Sequence, residues 1–420
     1  MRAGVALLLG LLTAACGGSS TPPTASTPPP ASVEAPPSPI SGRRAPTALE
    51  AGAIARLTEE AAATRSLTFA QPVRTEIETA ARIAESLSSQ ITDEDVDKAS
   101  VVYKALGLLE ADVDVRVLLE DVLGEQVVGY YDTEGQRLVI RDDIMALLIG
   151  RPTAQETVLA RLTLVHELVH ALQDQRLGLG ETYEAEHDSD DAGVLRCIAE
   201  GDAMLAMLLH AAGPPAVAAA LAQPVDLATI GDGAAGGEAL QEAPAILRIP
   251  LVAPYILGLR LVAQTYQAGG WRAVDGLFRQ PPGSMADVLH GDVAEEPIAP
   301  DALPDLPGFE RDGDDALGEL ELAVYLGQRT PRAIHEAAAE GWRGDRLGVY
   351  QREGEVALVW WITFDDASNA REAEAIAGSL GGDVAREGRH LAIVRQAPPE
   401  ALPELRSHFQ AFAQGRAVRP

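Results

Sequence analysis

Residues 153–175 place the narrowest constraint on what this chain can fold into. Apolar residues recur there every three or four positions, which predicts one long helix. Thr153-Ala154-Gln155-Glu156 fits a capping box at its start, and Gly178 and Gly180 end it. Val158, Leu162, Val165, Val169 and Leu172 form a core stripe. Leu159, Thr163, His166, His170 and Gln173 form the stripe beside it. His166 and His170 therefore lie one turn apart on one face, at the edge of the buried surface, where two imidazoles can grip a single ion. Glu167 projects about 100° round the axis from His166. It can reach a water beside the ion without being a ligand, which is the HExxH arrangement.

Zinc hydrolases keep three protein ligands and one open position. The third ligand is expected from the next helix, predicted over residues 192–210 and capped from Asp188-Ser189-Asp190-Asp191. Glu200 shares a small, apolar face there with Gly193, Cys197, Met204 and Met207. A carboxylate buried on such a face is costly unless it meets a cation, and a metal held by two histidines provides one. His187, in an acidic turn, is the rival ligand. Cys197 has no histidine or asparagine arranged around it by sequence and is expected to be a buried structural thiol.

The rest of the chain fits an exported, mainly helical α+β protein. Hydrophobic residues make up 47% of the 420 and aromatics 4%, so the core is built from Ala, Leu and Val. A formal charge of -29 argues against nucleic acid and anionic lipid as partners. Met1-Arg2, the apolar run from Val5 to Leu12, and Thr13-Ala14-Ala15 before Cys16 have the layout of a signal peptide. The cysteine after small residues resembles a bacterial lipobox, which implies cleavage after residue 15, lipidation of Cys16 and anchorage to the cell envelope. Residues 16–46, rich in Pro, Ser, Thr and Ala, read as a disordered tether. With Cys16 in the signal, Cys197 is left without an intrachain disulfide partner.

Residues 47–300 are expected to form the helical body. Ile54, Leu57 and Ala61, then Ile77, Ala80, Ile83 and Leu87, recur at helical spacing before residue 124. Residues 127–131 and 136–140 read as a β-hairpin. Residues 231–237 form a glycine-rich loop, and helices resume over 255–268 and 271–278. Beyond a proline-rich boundary, residues 301–420 are expected to form a small α+β unit. Its strands are predicted over 347–350, 356–362 and 390–394, and its helix over 367–380.

HExxH followed by a helix-borne glutamate resembles the gluzincins. More narrowly, His166 to Gln175 (HELVHALQDQ) is similar to the zinc helix of a group of exported bacterial and archaeal putative peptidases. The likeness recurs at Gly129-Tyr130-Tyr131-Asp132, Glu200-Gly201-Asp202-Ala203, Gly270-Trp271-Arg272-Ala273-Val274 and Pro281-Pro282-Gly283-Ser284. It continues at Val288-Leu289-His290 and Gly341-Trp342-Arg343-Gly344-Asp345. The resemblance implies a zincin-like domain that binds one Zn²⁺ through His166, His170 and Glu200 and hydrolyses a peptide or protein substrate, with Glu167 as general base. It places the 127–131 strand at a sheet edge, where an extended substrate could pair with it. Tyr130, Tyr131, Tyr255 and His290 are candidate donors to the developing oxyanion. Many gluzincins carry an Asp four residues after the glutamate to orient a histidine; here that position is Met204. Two other readings stand beside this one: a surface binding lipoprotein with a structural or inactive metal site, and a zinc hydrolase of other amide bonds, such as those of cell-wall peptides.

Overall fold

The computed structural model describes residues 42–126, 128–150, 155–185, 187–222, 238–291, 298–300 and 302–416. The expected signal peptide, Cys16, most of the expected tether, Val127, the expected Thr153 cap and the glycine-rich segment 231–237 lie outside them. The fold is α+β and mainly helical, with two small sheets, as expected from the sequence.

The first sheet has four strands in the order β1-β2-β4-β3: β1 (Arg43–Arg44), β2 (Arg74–Glu78), β4 (Arg137–Arg141) and β3 (Gly129–Asp132). β3 and β4 are the hairpin read from the sequence, antiparallel and in register from Gly129↔Ile140 to Asp132↔Arg137. β2 corrects the reading of residues 47–124 as helical throughout, and β1 lies at the end of the segment read as a tether. Ile77 fits the helical spacing of Ala80, Ile83 and Leu87, yet it lies in β2 and pairs in parallel with Ile140. A parallel pair needs a long crossover, supplied here by the helices Ala80–Gln90, Asp93–Ala105 and Val115–Gln126. The charges of RTEIE have a structural use: Arg137 bridges Asp132 (2.9 Å), Glu76 and Glu78, so β2 is joined to the hairpin by ions as well as by its ladder.

The helix Gln155–Leu177 crosses beneath this sheet, and Ser189–Ala212 packs against it. Val165, Val169 and Leu172 are buried as expected, but Val158 is exposed. The histidines lie inside the buried surface rather than at its edge. The apolar segment Ala245–Leu277 is two helices joined by a kink at Gly269 and Gly270, the latter at φ 65°. By length and composition it could cross a membrane, but half of its most apolar stretch is buried within the fold. It meets Ser189–Ala212 backbone to backbone: a Cβ on Gly201 would lie 2.1 Å from Gly258 O, and one on Gly258 would lie 2.1 Å from Cys197 O.

The second sheet is antiparallel, in the order β5-β6-β7-β9-β8: β5 (Glu310–Asp315), β6 (Trp342–Arg352), β7 (Glu355–Phe364), β9 (His390–Arg395) and β8 (Asp383–Glu387). Period-two alternation sends the adjacent Trp360 and Trp361 of β7 to opposite faces. Trp360 packs under the helices Gly318–Leu326 and Ala367–Leu380, and Trp361 under Leu402–Ala413. The first of these cores also takes in Ala105 and Leu106, from far upstream of residue 300.

Asp345 fixes the Trp360 side of this core. Its two oxygens accept from Leu317 N, Gly318 N and Trp342 Nε1 (3.0 Å each) and from Trp360 Nε1 (2.6 Å). Burial pushes its pKa up, to about 6, against the pull of those donors. Asp345→Asn turns an amide NH₂ towards two of the four donors. Thermal unfolding followed by tryptophan fluorescence should show a loss of about 3 kcal/mol; an unchanged midpoint would contradict the donor count.

Candidate metal centre

His166 and His170 fall on one face of Gln155–Leu177, and Glu200 reaches them from Ser189–Ala212. His166 Nε2 lies 3.1 Å from Glu200 Oε2 and 3.1 Å from His170 Nε2; His170 Nε2 lies 3.5 Å from Glu200 Oε2. All three side chains are buried, and among the described residues they are the only such group of His, Cys, Asp and Glu. His187, the rival ligand, instead bonds Thr182 O at 2.8 Å and is partly buried.

The donor separations match what one metal ion requires. Tetrahedral zinc with ligands at about 2.0–2.1 Å holds them about 3.3 Å apart. A proton can satisfy one of these contacts; a metal ion satisfies all three. Without a metal, electrostatics settles the site another way. Burial opposes charge on His170, but the neighbouring Glu200 carboxylate outweighs it and raises its pKa. Burial likewise opposes ionisation of Glu200, and the two imidazoles outweigh it and lower its pKa. The His166 pKa is lowered, chiefly by burial.

Glu167 stands apart from the ligands. Its Oε2 accepts from Tyr131 N at 3.0 Å, and its buried Oε1 has no partner among the described residues. Burial pushes its pKa up to about 8 in the metal-free site, and a bound cation would favour the ionised form. β3 is indeed the outermost strand, but Glu167 uses its outward Tyr131 amide and all four of its residues are buried. A substrate pairing there must displace that contact.

Of the candidate oxyanion donors, Tyr255 lies beside the ligands, its ring stacked 6.3 Å from that of His166. Tyr131 OH donates to Asp174 at 2.8 Å, Tyr130 OH to Ser86 at 3.2 Å, and His290 pairs with Glu319 at 2.8 Å. The structure therefore gives these three side chains other partners. Met204 packs in an apolar cluster, and His166 Nδ1 is buried without a partner among the described residues. Cys197 is buried with its sulfur 3.8 Å from Met285 Sδ, and burial pushes its thiol up to about 12.

Sequence reading missed the supports behind the site. Gln173 links His170 to Asp202, and Asp202 meets a fully buried Arg65 from the end of the helix Ala48–Arg65. Gln173 was visible in advance as a member of the histidine stripe and Asp202 as part of the Glu200-Gly201-Asp202-Ala203 motif, but neither their link nor Arg65 was.

A sequence-family profile described as a domain of unknown function (DUF8575) matches residues 306–390. That span holds β5 to β8 and Asp345, and none of the metal-centre residues. No curated protein and no solved structure matches the chain.

Proposed function

We propose that this chain is a zinc metallopeptidase of gluzincin type, exported and held to the cell envelope through Cys16. The observation that carries the reading is the convergence of His166 Nε2, His170 Nε2 and Glu200 Oε2 within 3.1–3.5 Å of one another. Bound there, zinc would supply a Lewis acid that polarises a peptide carbonyl and acidifies water. Glu167 would accept the proton of the attacking water at the free Oε1, while Oε2 stays fixed by Tyr131 N. As the new C–O bond forms and the C–N bond breaks, the same oxygen would pass the proton to the leaving amine. Tyr255 would confine the His166 ring, and its place beside the ligands keeps it a candidate oxyanion donor.

Elemental analysis of the purified chain should find one zinc per molecule, with the metal lost or sharply weakened in Glu200→Ala. Hydrolysis of a peptide library should stop with chelator and return with zinc. A metal-free wild type would overturn the reading. The burial of the whole triad favours one alternative, a binding lipoprotein with a structural metal. Stoichiometric zinc without chelator-sensitive hydrolysis would select it.

A further inference from the structure

We propose that Gln173 is the positioning residue of this centre: it fixes His170 in the tautomer that presents Nε2 to the metal, and Asp202 with Arg65 holds it in place. The inference rests on the zinc reading above.

The geometry leaves Gln173 one orientation. Its Nε2 lies 2.9 Å from Ala199 O and 3.0 Å from Asp202 Oδ2. Both are acceptors, so that atom must be the amide nitrogen. The amide oxygen then faces His170 Nδ1 at 2.8 Å, and Nδ1 must carry the hydrogen. With Nδ1 protonated, the neutral ring has its lone pair on Nε2, the atom that faces His166 and Glu200.

The arrangement continues outward. Asp202 Oδ1 lies 2.6 Å from Arg65 Nε, and Arg65 Nη2 donates to Asp275 Oδ1 at 2.5 Å. The guanidinium sits 4.4 Å from the centroid of the Trp271 ring, whose Nε1 donates to Thr64 O at 2.8 Å. Gln173, Asp202 and Arg65 are fully buried. A buried arginine is tolerated only when its charge is matched, and here it is matched by carboxylates from two other helices. One arginine thus ties the first helix, the glutamate helix and the kinked helix together directly behind His170. With Met204 in the place of an acid, His166 has no comparable partner among the described residues, so orientation of the pair falls to His170.

The test is zinc affinity by chelator competition for wild type and Gln173→Leu, with ¹H–¹⁵N spectra of the zinc-loaded, histidine-labelled wild type. Gln173→Leu should bind zinc about 10–100-fold more weakly. The spectra should show His170 metallated at Nε2, with a downfield, hydrogen-bonded Nδ1 proton that His166 lacks. Equal affinity in the folded variant would overturn the inference and leave the zinc site standing. Metallation of His170 at Nδ1 would overturn it even if the variant failed to fold. A wild type that takes up no zinc would overturn both.

Discussion

Glu167→Gln should hydrolyse peptides about 10²–10⁴-fold more slowly than the wild type while binding zinc as tightly. The substitution is almost isosteric. The glutamine oxygen can keep the bond from Tyr131 N, and the amide nitrogen takes the place of Oε1, which has no partner among the described residues. His166, His170 and Glu200 keep their places, so fold and metal content should survive. What is lost is a group able to accept a proton next to the metal. Steady-state rates on one peptide, with zinc content measured on the same samples, separate the two effects. A variant with undiminished kcat would show that Glu167 is not the base. A variant that lost its zinc would show that the carboxylate helps to hold the site together.

Gly201→Ala should be the most damaging small substitution in the helical body. The new methyl would lie 2.1 Å from Gly258 O and 2.2 Å from Gly258 C. Carbon and oxygen rarely approach closer than about 3.3 Å. The obstacle is backbone on both sides, so no side chain can turn away to make room. The two helices must part by about 1 Å, at a cost of about 3 kcal/mol or more. Because Glu200 and Asp202 flank Gly201, zinc affinity should fall with stability. Gly276→Ala is the control: nothing lies within 4 Å of its Cβ position, and it should be neutral or slightly stabilising. Coincident urea midpoints for Gly201→Ala and the wild type would disprove the close crossing.

The His166, His170 and Glu200 group was legible in the sequence because the cues to it are local. Four-residue spacing places His166 beside His170 on any helix, and Glu200 announced itself as a carboxylate on an apolar face. The hairpin and the helix Ala367–Leu380 were legible for the same reason, from alternation and period within one short segment. β2 was not, because its partner is about sixty residues away and its single buried isoleucine also fits a helical period. β5 was invisible for another reason: ERDGDD has no apolar residue, and it is a strand only because β6 supplies the ladder. Arg65 sits in the last turn of its helix, where a basic residue is ordinary. Its burial depends on Asp202 and Asp275, and no local pattern brings those three together. Tyr131 and His290 show the converse. Residue type nominated them, and nearby carboxylates claimed their polar atoms.

The strand order also has a mechanical consequence. β1 and β3 form opposite edges of the first sheet, separated by three strand spacings, about 14 Å. Whatever precedes Gly42 is joined to the edge remote from Glu167. Tension applied through that end meets two residue pairings, Arg43↔Glu78 and Arg44↔Ile77, reinforced by Arg43 on Glu78 and Arg44 on Glu50 at 2.7 Å each. These would act as a mechanical fuse: β1 would peel away before strain reached the hairpin that holds Glu167, so under the proposed function a pull on the N-terminal side would leave the metal centre undisturbed.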